Sequence, residues 1–147
     1  MTDIAHNGGC HCGAIGFQYA TAIRPDSWPM RACQCRFCRM HDALSTSDPR
    51  GTLVFSASNP DALQRYRFAL KTADFLVCRR CGIYVGAVID SASGRFGIIN
   101  TRALDTMPAN IAHVGAVSYD NEDAKGRIKR REERWTPVTG VPWQGSR

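Results

Sequence analysis

The sequence predicts an all-β fold, a mainly β domain with short helical turns. Apolar and polar residues alternate between three groups of cysteines, and this alternation is the period of half-buried strands. Thirteen glycines and seven prolines among 147 residues favour many turns over long helices. With 44% hydrophobic and 22% charged residues, the composition is that of one ordinary globular domain.

Seven strands and two short helices are predicted. Alternation marks the first three strands, and a high content of β-branched and aromatic residues marks the other four. The predicted strands are 14–20, 52–57, 65–71, 74–77, 83–89, 95–100 and 111–119, with turns at 58–61, 91–94 and 107–110. The helices are predicted at 36–43 and near 102–105.

The predicted location is cytoplasmic, without membrane contact. The sequence has no run of about 18 apolar residues, and its first ten residues, MTDIAHNGGC, do not resemble a signal peptide. In a reducing compartment the seven cysteines stay mostly as thiols, so their grouping indicates metal or redox chemistry rather than a disulfide framework.

Two cysteine pairs lie in glycine-flanked turns that are far apart in the sequence. Cys10 and Cys12 lie between glycines, and Cys78 and Cys81 are followed by one. Two such pairs can complete a tetrahedral four-sulfur site, the usual arrangement of structural zinc. A thioredoxin-like redox role for the second pair is the weaker alternative, because its strand-like flanks do not form a βαβ unit.

The middle group consists of Cys33, Cys35 and Cys38 and has no fourth cysteine once the two pairs bind each other. Cys33 and Cys35 lie on the same side of an extended segment, and Cys38 follows after the chain turns into the short helix. The three sulfurs can therefore meet one ion. Three protein ligands with an open fourth position are typical of catalytic zinc, where the vacancy takes water or a substrate atom.

Two alternatives stay open for the middle group. A histidine could close it as a structural site, with His41, three residues after Cys38, as the first candidate and His6, His11 or His113 as the others. The three thiols could instead form a redox sensor that oxidises reversibly without metal. Sulfur ligands favour zinc or iron over metals such as magnesium that prefer oxygen.

The ordered series GGCHCGAIGFQY, ACQCRFCR and VCRRCG resembles the family of glutathione-dependent formaldehyde-activating enzymes and centromere protein V. The resemblance covers roughly residues 8–120 and implies a β-tent-like domain of zinc-binding antiparallel sheets. It also implies one structural zinc on the first and third groups and a second, catalytic zinc on the middle group. The matching ligands are Cys10, Cys12, Cys78 and Cys81 for the structural zinc, and Cys33, Cys35 and Cys38 for the second.

The resemblance further implies an enzyme that condenses glutathione with formaldehyde to S-hydroxymethylglutathione, formally a carbon-sulfur lyase in the reverse direction. Its partners would be a small thiol such as glutathione and an aldehyde. Where many relatives have a histidine between the first two cysteines of the middle group, this chain has Gln34, which cannot carry a proton near neutral pH. Arg36 and Arg39 flank Cys38, and we predict that they hold the carboxylates of the thiol.

Residues 125–147 form a basic, proline-spaced C-terminal tail, predicted to pack on the zinc-binding domain at 1–124 or to extend from it. The first ten residues of this tail carry six basic and two acidic side chains, in a chain whose formal net charge is +6. The two glutamates and the lack of interleaved aromatic residues disfavour a nucleic-acid site. The alternative to an enzyme is a noncatalytic zinc-binding module that engages nucleic acid or protein. The sequence does not determine the oligomeric state.

Overall fold

The computed structural model describes residues 2–110 and 113–144. In these residues, eleven strands form one mixed sheet, and two α-helices pack beside it. The strands are β1 (Ile4–Gly9), β2 (Ile15–Thr21), β3 (Arg31–Cys33), β4 (Ser45–Thr46), β5 (Thr52–Ala57), β6 (Leu63–Tyr66), β7 (Asp74–Cys78), β8 (Tyr84–Ser91), β9 (Gly94–Asn100), β10 (Gly115–Val117) and β11 (Thr136–Gly140). The α-helices are α1 (Arg36–Met40) and α2 (Ala124–Arg134), and single 3-10 turns occur at Pro25–Ser27, Pro60–Ala62 and Thr101–Ala103.

Strand β9 is the branch point of the sheet. One path runs β1-β2-β5-β11-β9-β4-β3-β10, and β8 extends from the other edge of β9 to β7 and β6. Two short strands share one edge of β9, because β11 pairs with Phe96 and Gly97 whereas β4 pairs with Ile99 and Asn100. The prediction of a mainly β domain is confirmed. The antiparallel pairing expected of the sheet holds for the other strand pairs, whereas β10 runs parallel to β3 and β11 parallel to β5.

The main hydrophobic core lies against one face of β2, β5 and β8, with Tyr19, Trp28 and Leu53 almost fully buried. The strand alternation that predicted these elements is visible in β2, whose odd-numbered residues are the buried ones. A second cluster lies between α2 and the β8-β9 pair, where Trp135 packs near Ala87 and Ile98. Strand β8 is covered on both faces, which explains why six of its residues in a row are buried.

Most predicted strands are present, and the differences have local causes. The strand predicted at 65–71 ends at Tyr66, because Ala69 and Lys71 have φ values of 52° and 55°, in the left-handed region. The strand predicted at 111–119 is reduced to β10, and its residues 111 and 112 lie outside the described residues. Strands β1, β3 and β4 were not predicted, since β1 is mostly exposed and the other two are very short.

The C-terminal region, predicted as a tail that packs on the domain or extends from it, forms a helix and a strand. Helix α2 begins where the Asp123 side chain accepts a hydrogen bond from the Gly126 amide, 2.7 Å away. Strand β11 then enters the sheet between β5 and β9. The region therefore completes the sheet and covers the second cluster. Within the part of the chain that the structure describes, no helix combines the length and the apolar character needed to cross a bilayer.

Candidate metal centres and the adjoining cleft

Cys10, Cys12, Cys78 and Cys81 come together as predicted and are called here the four-cysteine cluster. Their sulfur atoms all lie within 4.8 Å of one another. The Cys12 sulfur is 3.7 Å from that of Cys10 and 3.6 Å from that of Cys78. Four sulfurs bound to one zinc at about 2.3 Å in a tetrahedron are about 3.8 Å apart. The donor set and its spacing therefore fit a four-thiolate zinc.

Backbone turns hold the four sulfurs in place. The first turn follows β1, and the second connects β7 to β8. The amides of Ile15 and Arg80 donate hydrogen bonds to the sulfurs of Cys10 and Cys78, at 3.3 and 3.4 Å, and such donors stabilise thiolates. Gly82 has a φ of 80°, and a Cβ at this position would meet no neighbouring atom. The turn therefore needs glycine for its backbone conformation and not because a side chain would clash.

Cys33, Cys35 and Cys38 form a second group within 4.8 Å, the three-cysteine cluster. Cys33 ends β3, Cys35 caps α1, and the Cys38 amide donates to the Cys35 sulfur at 3.4 Å. Among the described residues, no histidine, aspartate or glutamate belongs to this group. The cluster therefore offers three sulfur ligands and leaves one tetrahedral position for another atom.

The histidines considered as a fourth ligand have other positions. His41 packs against the rings of Phe37 and Tyr84, and His6 against the ring of Trp28. His11 and His113 are exposed.

Three thiols this close cannot easily ionise together. Hydrogen bonds, first from Cys33 and then from Cys38, lower the pKa of the Cys35 thiol to about 2. Hydrogen bonds with Cys33 and then Cys35 raise the pKa of Cys38, because its proton is held between those two sulfurs. Full ionisation of the cluster therefore needs a cation among the sulfurs, and a soft divalent ion such as zinc fits this requirement.

The three-cysteine cluster opens onto a cleft with a volume of ≈ 150 Å³. The cleft lies between the cluster, the 68–73 turn, and helix α2 with the segment before it. Its apolar lining includes Phe68, Phe75, Ile98 and Trp135, and its polar lining includes Arg31, Thr72, Tyr84, Tyr119, Asp120, Arg127, Arg130 and Arg131. By contrast, the four-cysteine cluster does not line this cleft.

The predicted anion-binding arginines are not among the residues that line the cleft. Arg36 and Arg39 are exposed on α1, and the Arg39 Nε donates to the Gln34 carbonyl at 3.0 Å. Gln34 itself is exposed, and its side-chain amide Nε2 donates to the Ala32 carbonyl at 2.8 Å. A role for Arg36 and Arg39 in substrate binding stays a prediction.

The arginines that do line the cleft were not predicted from the sequence. Arg127, Arg130 and Arg131 are spaced three and four residues apart, which places them on one face of a helix. That spacing was the available signal in the basic region. Arg31 enters the cleft from β3. Nothing in the sequence distinguishes Arg31 from the other arginines.

Comparisons with known proteins give one matching family and one similar solved structure. Residues 5–119 match the family described as glutathione-dependent formaldehyde-activating enzyme. A solved structure of a Rhodobacter sphaeroides protein is similar, with a TM-score of 0.54 and 24% sequence identity, over 74% of this chain and 99% of that one. At this identity the likeness concerns the fold alone.

Proposed function

The chain belongs to the glutathione-dependent formaldehyde-activating enzyme family, and on that premise we propose that it adds a small thiol to formaldehyde or a similar aldehyde. In this reaction the thiol sulfur forms a bond to the carbonyl carbon. The π electrons of the C=O bond move to its oxygen, and the thiol proton ends on that oxygen as a hydroxyl. The reverse direction is a carbon-sulfur lyase reaction.

The observation that carries this proposal is that the three-cysteine cluster opens directly onto the cleft. Cys33, Cys35 and Cys38 would hold zinc. When bound there, the ion supplies an open coordination position that can bind a thiol sulfur or polarise an aldehyde oxygen. Zinc in the four-cysteine cluster would have all four positions filled by protein and would be structural.

Two features of the cleft suit this chemistry. Phe68, Phe75 and Trp135 give it an apolar wall, which reduces the number of water molecules that compete with the substrate. Burial, followed by the charge of Cys38, keeps the pKa of Tyr84 well above its ordinary value. The Tyr84 phenol therefore keeps its proton at neutral pH and can act as a hydrogen-bond donor.

The test combines metal content with catalysis. Zinc-loaded protein should accelerate the exchange of formaldehyde with glutathione above the spontaneous rate, as measured by NMR exchange spectroscopy. Cys35→Ala should lose one zinc per chain and reduce this acceleration at least about a hundredfold, because metal activation is worth several kcal/mol. Its circular dichroism spectrum should stay that of the wild type.

The matched control is Gln34→Ala, which changes an exposed neighbour of Cys33 and Cys35. It should keep both zincs and the wild-type rate. Wild-type protein with two zincs and no acceleration for any thiol or aldehyde pair would overturn the proposal and favour a noncatalytic zinc-binding module.

A further inference from the structure

The cleft contains more cationic side chains than its own acidic groups balance. Four arginines line it, and one of them, Arg130, is paired with Glu122 at 2.9 and 3.0 Å and stacks over the Tyr119 ring. The ion pairs found among the described residues do not include the other three, Arg31, Arg127 and Arg131.

Arg131 is the most deeply buried of these cations. Only 6% of its surface is exposed, its Nη1 donates to the Thr72 hydroxyl at 2.7 Å, and its guanidinium lies 4.8 Å from the centre of the Trp135 ring. Its buried Nε has no hydrogen-bond partner among the described residues. Burial lowers the pKa of Arg131 to about 10, so that the group stays charged at neutral pH.

Arg127 lies one helical turn before Arg131 and also lines the cleft. Its Nη2 donates to the Tyr119 carbonyl at 3.2 Å. Its Nε is buried and, like that of Arg131, has no partner in the described part of the chain. A buried cationic group that is short of acceptors is costly and rare in folded proteins. Two such guanidinium groups lining one cleft indicate a ligand that accepts hydrogen bonds from their N–H groups.

Charge arithmetic gives the kind of ligand. Arg31, Arg127 and Arg131 bring three positive charges, whereas Asp120 brings one negative charge. Three thiolates with one divalent ion bring one further negative charge. One positive charge is left, which a single carboxylate would neutralise. Guanidinium groups bind carboxylates through paired, charge-assisted hydrogen bonds.

We propose that Arg127 and Arg131 bind the carboxylate of the thiol substrate, so that the cleft selects acidic thiols over neutral or cationic ones. This inference rests on the proposed function and names its substrate class. Helix α2 lies beyond the residues 5–119 that match the family, so this selectivity belongs to the C-terminal region of this chain. A cleft of ≈ 150 Å³ has the volume of a cavity that holds benzene, which suits a compact acid or the end of a longer one.

The experiment uses three small thiols that differ in charge: 3-mercaptopropionate, 2-mercaptoethanol and thiocholine, whose quaternary ammonium group does not react with formaldehyde. Each is paired with formaldehyde, and glutathione serves as a fourth, larger acid. Wild-type protein should show the highest kcat/KM for the acids. Arg127→Gln and Arg131→Gln should each reduce kcat/KM for the acids about ten- to a hundredfold, through KM, because each variant removes a charge-assisted hydrogen bond to the carboxylate. The kcat/KM for 2-mercaptoethanol should fall much less than that for the acids, because this thiol has no carboxylate to lose.

Two variants serve as controls for this experiment. Lys129→Gln removes the same charge from an exposed position of the same helix and should leave all four thiols unaffected. Arg131→Lys keeps the charge and should retain part of the preference for acids. If Arg131→Gln fails to fold, the half-buried Arg127 still decides the question.

Calorimetry separates this inference from the proposed function, because it needs no turnover. Wild-type protein should bind 3-(methylthio)propionate, which lacks a free thiol, and Arg127→Gln should not. Binding that depends on Arg127 without turnover of any thiol would support the carboxylate site and reject the proposed reaction. The carboxylate site is rejected if the variants keep the preference for acids, or if wild type binds 3-(methylthio)propionate no better than 3-(methylthio)propanol.

Discussion

The four-cysteine cluster and the three-cysteine cluster use the same ligand atom in different structural settings. The four-cysteine cluster joins two turns whose facing cysteines, Cys12 and Cys78, are 66 residues apart. The three-cysteine cluster is contained within six consecutive residues, 33–38. The first cluster therefore connects distant parts of the sheet, whereas the second needs only a strand end and one turn of helix.

The surroundings of the two clusters differ as well. Cys12 is exposed, and Cys10 and Cys78 are held by backbone donors in tight turns. The three-cysteine cluster faces a cleft with aromatic and cationic walls. From the difference in ligand number and chain separation, we predict that the four-cysteine cluster stabilises the fold and that the three-cysteine cluster is accessible to a substrate. Three predictions test this distinction.

The largest effect is expected for Cys78→Ala, a change at the most buried ligand of the four-cysteine cluster. Structural zinc contributes an apparent binding free energy on the order of 10 kcal/mol, which is comparable to the whole stability of a domain. The variant should lose a zinc and most of its cooperative thermal unfolding, as followed by circular dichroism. Cys35→Ala is the matched control and should unfold near the wild-type temperature, because its cluster closes only a short loop. Equal losses of stability in the two variants would contradict the distinction.

An intermediate effect is expected for Asp74→Asn, at the start of the strand that ends in Cys78. The Asp74 carboxylate is buried and accepts from Arg65 and Arg67 at 2.9 and 2.8 Å. Burial alone would raise its pKa, but the two arginines hold the pKa below its ordinary value of 3.8. The ionised group therefore stabilises the fold at all pH values above about 4.

Removing this charge should lower the free energy of unfolding by about 3 kcal/mol at pH 7, as measured by urea denaturation. Arg24 and Asp26 form an exposed ion pair, so Asp26→Asn is the control and should change stability by less than about 0.5 kcal/mol. Both variants should keep two zincs. Loss of zinc in Asp74→Asn would mean that the carboxylate acts on a metal site and not on the strand.

The smallest effect is expected for Gly82→Ala, in the second turn of the four-cysteine cluster. An alanine at a φ of 80° is strained by about 1–2 kcal/mol. The free energy of unfolding should fall by this amount in urea denaturation, with the rate of thiol-aldehyde exchange unchanged. Gly115→Ala is a suitable control because Gly115 has open space and an ordinary φ. A loss of catalysis in Gly82→Ala would show that the two clusters are coupled.

The sequence predicted most of the sheet and both cysteine clusters because these features depend on local patterns. Strand β5 occurs at the residues that the alternation indicated, since one of its faces is buried and the other exposed. The cysteine groups could be sorted by spacing alone, because two glycine-flanked pairs and one trio allow few arrangements. The strand predicted at 65–71 was too long, since the reversal at Ala69 has no glycine to mark it.

The two cysteine groups, the mainly β fold and the family resemblance could be predicted from the sequence, because all of them depend on residues close together or on a fixed period. Which charged groups reach the three-cysteine cluster depends instead on how distant parts of the chain pack. Arg36 and Arg39 are its neighbours in the chain yet lie on the exposed side of α1, whereas Arg131 arrives from a helix about 95 residues later. The physical reason is that α2 must cover the apolar face of β8 and β9, and this packing brings its arginines to the cleft.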